Sequence, residues 1–162
     1  MFGKKLSEYI SFAKPILLLI LVVGIARLAL SLAGVQNSAV KWLSISVTLL
    51  IGLVYFSIRV YTTGFGSYKQ LLPVLYLQAI VSQAIVIAGI VIAIETHKDN
   101  IFSAPEYSGG GDGKTWVHVA AHFIVMIISP LVAWLVGSAI MWVTKKAVRR
   151  EPAAAQMPAR CG

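Results

Sequence analysis

Cysteine is nearly missing from this chain. The only one, Cys161, lies beside the chain end, which excludes a disulfide framework, a thiol pair for redox exchange and a cysteine-rich metal centre. Acidic residues are almost as scarce, six in 162 residues. The chain has no HExxH helix for a zinc hydrolase and no pair of intramembrane aspartates for proteolysis. The segment GGGDGKT, residues 109–115, is not a phosphate-binding loop, because Ser108 stands where the first glycine is required and no strand precedes it. The formal charge of +8 comes without the interleaved aromatics or the fold signature that would read nucleic acid. No complete catalytic motif is present, and the chain reads as non-enzymatic.

Long apolar runs are what the chain has in abundance. Hydrophobic residues make up 58% and charged residues only 12%, about half the charge of an ordinary soluble domain. Apolar runs of about 20 residues, each enough to cross a hydrocarbon core of roughly 30 Å, recur four times. The fold expected is an all-α membrane protein, four transmembrane helices in an antiparallel bundle preceded by a short N-terminal interfacial helix.

Residues 1–14 hold Lys4, Lys5 and Lys14 with Phe2, Leu6, Tyr9, Ile10 and Phe12 for the lipid side. Pro15 suits the first turn of the first spanning helix, residues 15–33. A basic start and small residues before Gly34 imitate a cleavable leader, but Arg27 interrupts what would be its uncharged core. An uncleaved helix is expected. The second helix spans 40–61, with Trp42 and Tyr61 about 28 Å apart as interfacial aromatics. A short glycine-containing turn, residues 62–68, leads to the third, 71–94. Residues 95–114 form the only long connection and the one sizeable aqueous feature, and the fourth helix spans 115–143, with Thr115 near its N-cap. Residues 1–144 thus read as one membrane domain, and 145–162 as a basic, disordered tail.

Orientation follows from the loop lysines and arginines. Lys4, Lys5, Lys14, Arg59, Lys69, Lys145, Lys146, Arg149, Arg150 and Arg160 fall on one side, ten in all, against Lys41, Lys98 and Lys114 on the other. The positive-inside rule then puts both termini in the cytoplasm and the long loop outside.

Helices in lipid gain no hydrophobic benefit from contact, so small and hydrogen-bonding residues mark their seams. Ser44, Thr48, Gly52, Tyr55 and Arg59 share a face of the second helix, and Gln78, Ser82, Gly89 and Ala93 one of the third, with Gln83 nearly at right angles. His118, His122, Ser129, Ala133 and Gly137 line the fourth. Such stripes are most simply packing seams, and Arg27, seven residues before Gly34, can snorkel or pair within the protein. The same stripes, with Arg27, Gln78, Ser82 and Gln83 as intramembrane polar groups, would serve a conduction path or ligand cavity.

His118 and His122, four residues apart, project from one helix face, the spacing that lets two imidazoles reach one zinc or copper ion. The loop acids, Glu95 and Glu106 first, are the candidates for further ligands. A haem held by the pair is excluded, because axial ligands approach from opposite faces. The function expected is an accessory subunit of a membrane complex or a small homo-oligomer, in contact with lipid and with other membrane subunits or its own copies. The alternatives are a small transporter or channel, and a membrane protein binding a transition metal or cofactor at the histidines.

Overall fold

The computed structural model describes residues 2–107 and 109–148. They form α1 (Leu6–Leu32), a single turn α2 (Asn37–Val40), α3 (Ile45–Thr62), α4 (Tyr68–Thr96) and α5 (Trp116–Ala147), with no strand among them. Four segments, Leu6–Leu32, Asn37–Thr62, Tyr68–Thr96 and Trp116–Ala147, are long enough to cross a membrane, with mean hydropathy between 1.9 and 2.5. They are compatible with an integral membrane protein.

Each long helix starts where a side chain meets its first free N–H groups. The Glu8 carboxylate accepts from the Lys5 N–H at 2.7 Å, Ser44 Oγ from the Val47 N–H at 3.3 Å and Gln70 Oε1 from the Ser67 N–H at 2.8 Å. Thr115 Oγ1 accepts from the His118 N–H at 3.2 Å, as its expected capping place requires. Gly34, at φ +83°, turns the chain out of α1 in the left-handed conformation that glycine adopts at no steric cost.

Two expected helix starts move furthest. No separate interfacial helix precedes Pro15: the cap at Lys5 and Glu8 starts α1 at Leu6, and Pro15 sits inside it. A proline there removes one N–H, the one due to the Ser11 carbonyl, and leaves the rest of the ladder intact. Pro73 and Pro130 sit inside α4 and α5 in the same way. At the other boundary Trp42 lies in the turn after α2, because the Ser44 cap delays α3 to Ile45. The tail begins later than expected, since α5 runs to Ala147; Arg149, Arg150, Arg160 and Cys161 lie outside the described residues.

The helices meet where side chains are small. A Cβ at Gly137 would lie 2.7 Å from Ser57 Oγ and 3.0 Å from Leu53, so α5 presses on α3 only because none is there. Gly52 of α3 does the same against Ile16 of α1 and Gln78 of α4. Thr48, Gly52, Gln78, Ser82, Gly89, Ala93 and Gly137 of the expected stripes are all buried. Most of the rest of α5 is exposed and made of large apolar side chains, among them Phe123, Ile124, Ile127, Leu131, Val132 and Leu135.

The two ends of the molecule differ. Where the start of α1, the α3–α4 turn and the end of α5 come together, Phe12 stacks on Phe65 at 4.0 Å and Tyr9 meets it edge-on at 5.5 Å. Lys145 lies 4.0 Å over Tyr68, whose carbonyl accepts from Trp134 Nε1 at 2.7 Å. This is the terminal end. The loop end gathers the last turns of α1 and α4, the starts of α3 and α5, and residues 97–107 and 109–115.

That loop is only partly the aqueous feature expected. Residues Asn100–Ala104 are buried. Asn100 Nδ2 donates to the Gly89 carbonyl at 2.6 Å, and the Ile101 N–H donates to Ser31 Oγ at 2.8 Å. With those polar groups satisfied, Ile101 and Phe102 are free to leave water, which stabilises the insertion by roughly 1.5–3 kcal/mol for each fully buried side chain.

Candidate functional site

At the loop end a cavity of about 310 Å³ opens between the helices and the inserted loop. Arg27 of α1, Ser46 and Leu49 of α3, Gln83 and Val86 of α4, and His122 of α5 line it, with Ile101, Phe102 and Tyr107 of the loop. The hydrophobic pair Ile101–Phe102 inside a polar loop is the sequence signal for this roof, and Phe102 is the residue that sequence reasoning passed over.

Arg27 is half-buried. Its Nη1 donates to the Leu43 carbonyl at 3.2 Å, and its guanidinium lies 5.5 Å from the centre of the Phe102 ring. Pairing within the protein thus accounts for one nitrogen, while Nε is buried with no hydrogen-bond partner. Among the described residues no carboxylate forms an ion pair with Arg27. A buried cation with spare donors is costly in a low dielectric, and an anion beside it removes that cost.

The histidine pair stands on the same side. His118 Nδ1 lies 2.9 Å from the Gly113 carbonyl, His122 Nδ1 lies 2.7 Å from Gln83 Oε1, and the two Nε2 atoms are 3.2 Å apart. The Gly113 carbonyl only accepts, so His118 carries its proton on Nδ1 and offers a lone pair at Nε2. With the Gln83 oxygen toward the ring, His122 carries a proton on Nδ1, and a hydrogen bond between the two Nε2 atoms then requires one further proton, on either ring. With the amide nitrogen there instead, His122 accepts from Gln83 and the pair is neutral. In both arrangements the chain Gly113–His118–His122–Gln83 is unbroken. Gly113 reaches His118 because it lies flat against the Ser103 backbone, where a side chain would collide.

The remaining sequence candidates disperse. Glu95 is exposed in the last turn of α4, and Glu106 Oε1 accepts from Asn37 Nδ2 at 3.4 Å. Among the described residues no three His, Cys, Asp or Glu side chains converge on a point that would hold a metal ion. Ser82 is satisfied by the Ala79 carbonyl at 3.0 Å within its own helix. Gln78 donates to the Leu49 carbonyl at 3.4 Å, and its Oε1 is buried without a partner.

A second cavity of about 310 Å³ lies beside Gln78, between α3, α4 and α5. It is lined by Leu50, Leu53, Leu75, Ala79, Ser129, Pro130 and Ala133, and it shares Ser46 and Leu49 with the first. Compared with protein families, curated proteins and solved structures, the chain matches none.

Proposed function

We propose that this chain is an integral membrane protein, an antiparallel four-helix bundle of residues 1–144 with both termini cytoplasmic, that holds a small ligand at its loop end rather than catalysing a reaction. The observation that carries the reading is Arg27: a half-buried guanidinium with an unpaired Nε, at the wall of a cavity that no carboxylate lines. Gln83, His122 and Tyr107 supply further hydrogen-bonding groups around the same space. The protein purified in mild detergent from its native membrane is expected to carry one small molecule at near-stoichiometric level, lost in Arg27→Gln. A preparation of wild type without such a molecule sinks this proposal.

The seams of small residues give an accessory or self-associating subunit less support than the cavity gives ligand binding. Gly52 and Gly137 are already filled by this chain's own helices, and the exposed face of α5 carries the large apolar side chains that suit acyl chains. A conduction path would need a continuation at the terminal end, where Tyr9, Phe12, Phe56 and Phe65 pack on one another. The orientation rests on the ten-to-three charge count. In a Cys161→Ser background, cysteines at Gly111 and at Ser67 are expected to react with impermeant reagents from opposite sides of the membrane, and labelling of both from outside intact cells overturns it.

One observation favours a second reading, a transition-metal site at His118 and His122. Both Nδ1 atoms face oxygen acceptors while both Nε2 atoms face each other, as imidazoles do when the outer nitrogen is held by a carbonyl and the inner one binds metal. One zinc or copper ion per chain, removed by either His118→Ala or His122→Ala, supports this reading. A metal content unchanged by both substitutions eliminates it.

A further inference from the structure

The two cavities adjoin. Ser46 and Leu49 line both, which sets the apolar cleft at Leu53 next to the polar chamber at Arg27, further along α3. From Ser46 to Leu53 is seven residues of helix, about 10 Å at 1.5 Å per residue. The cleft has a structural cause. Gly137 lets α5 press on Leu53 and Ser57 of α3, while nearer the loop end Ser129, Pro130 and Ala133 face Leu49, Leu50 and Leu53 across open space, with Leu75, Gln78 and Ala79 of α4 among the lining residues.

The chemistry changes from one cavity to the other as it does along a lipid. At the loop end the lining offers a guanidinium with a free donor, an imidazole, an amide and a phenol, with no acid among them. Further in, the lining is leucine, alanine and proline, interrupted by Ser46, Gln78 and Ser129. We infer that the occupant is a single-chain or diacyl amphiphile with an anionic headgroup, its phosphate or carboxylate oxygens at Arg27 and one acyl chain in the cleft between α3 and α5.

This inference rests on the loop-end cavity being a binding site, and it goes further by requiring both a charge and a hydrocarbon tail. A free oxyanion would satisfy Arg27 but leave the cleft unfilled. A neutral lipid would fill the cleft but leave the guanidinium uncompensated in a low dielectric.

The test uses the full chain, purified in a neutral detergent and stripped of lipid. It is offered phosphatidylglycerol, phosphatidylcholine with the same acyl chains, or inorganic phosphate. Native mass spectrometry counts bound lipid and thermal unfolding reads the protein. One phosphatidylglycerol per chain is expected, retained about tenfold better than phosphatidylcholine, equivalent to about 1.4 kcal/mol. Arg27→Gln should bring the two lipids to parity, and Arg27→Lys should restore part of the preference, since an ammonium keeps the charge but not the fork. Ala133→Phe, or Ser129→Phe should the first variant not fold, should weaken phosphatidylglycerol at least tenfold. Leu135→Phe, at an exposed position that does not line the cleft, should leave binding unchanged.

Equal retention of the two lipids, or a preference that survives Arg27→Gln, overturns the inference. If inorganic phosphate displaces the lipid through Arg27 while both cleft substitutions are silent, the loop-end cavity remains a binding site and the amphiphile is refuted. If neither phosphate nor either lipid binds, the amphiphile is refuted, and the loop-end cavity as a ligand site is then judged by the small molecule carried from the native membrane.

Discussion

The terminal end and the loop end are built from the same helices by opposite rules. At the terminal end aromatic rings interlock, lysines lie over ring faces, and Gln70 Nε2 donates to the Phe2 carbonyl at 2.9 Å. At the loop end Arg27 Nε has no partner, the Nε2 atoms of two histidines lie 3.2 Å apart, and a cavity lies beside Arg27. The first arrangement uses its side chains to hold helices together. The second leaves a guanidinium nitrogen unpaired beside a cavity, the mark of a site more often than of a scaffold.

The comparison breaks most readily on two phenylalanines. Phe56 is fully buried among Phe12 and Tyr55, so Phe56→Ala is expected to cost about 3–5 kcal/mol, the range for large-to-small core changes. Phe102 roofs a cavity that already exists, so Phe102→Ala should cost about 1–3 kcal/mol, less than the full core value. Reversible unfolding in mixed micelles reads both, and equal losses would mean that the ends are not mechanically distinct.

Gly137→Leu should come next, at about 1–3 kcal/mol, because the added side chain must displace Ser57 and Leu53. The same unfolding titration checks it, and a neutral outcome would show that α5 is not held by this seam. His122→Ala should be milder, about 1 kcal/mol for one lost hydrogen-bond link, with its main effect on ligand retention. A His122→Ala protein that unfolds as readily as Phe56→Ala would make the histidines structural.

The smallest effect is expected at the loop tether. Lys114 Nζ lies 2.7 Å from Asp99 and 3.6 Å from Asp112, and its hydrogen bond to Asp99 is the chief reason that the ammonium is held above the usual lysine range. A folded-state value above the unfolded one gives stability that is fully present below the ordinary lysine pKa of about 10.4 and lost as pH rises through the raised value. Hydrogen exchange across residues 97–115, corrected for intrinsic rate, should therefore show no pH-dependent loosening between about pH 7 and 9, with loosening only in more alkaline solution. Loosening near neutrality would point to another group.

The four long helices were legible because apolar runs of spanning length are a coarse signal that no local irregularity erases. The start of α1 was not, since Pro15 is compatible with a first turn and with a helix interior alike, and the cap at Lys5 and Glu8 decides between them. The shared face of His118 and His122 follows from a spacing of four. Their partner Gln83 is thirty-nine residues away, a pairing that depends on how α4 rotates against α5. The chamber itself was hidden because it draws on all four long helices and the loop, and its roof is a segment whose Asn, Ser and Pro read as solvated until Gly89 and Ser31 are seen to satisfy its backbone and Asn100.

The inserted segment also carries a consequence for the order in which the protein is made. Two of its anchors are the Gly89 carbonyl and Ser31 Oγ, in α4 and α1, and its Phe102 ring lies over Arg27 of α1. All of these residues precede α5 in the chain. During synthesis the roof can therefore settle on α1, α3 and α4 while α5 is still within the ribosome. The last helix then arrives as a wall closing a chamber whose ceiling is already in place. A chain truncated after Gly113 and released into the membrane should already protect Ile101 and Phe102 from solvent, and only the presence of α5 should bring His122 to Gln83.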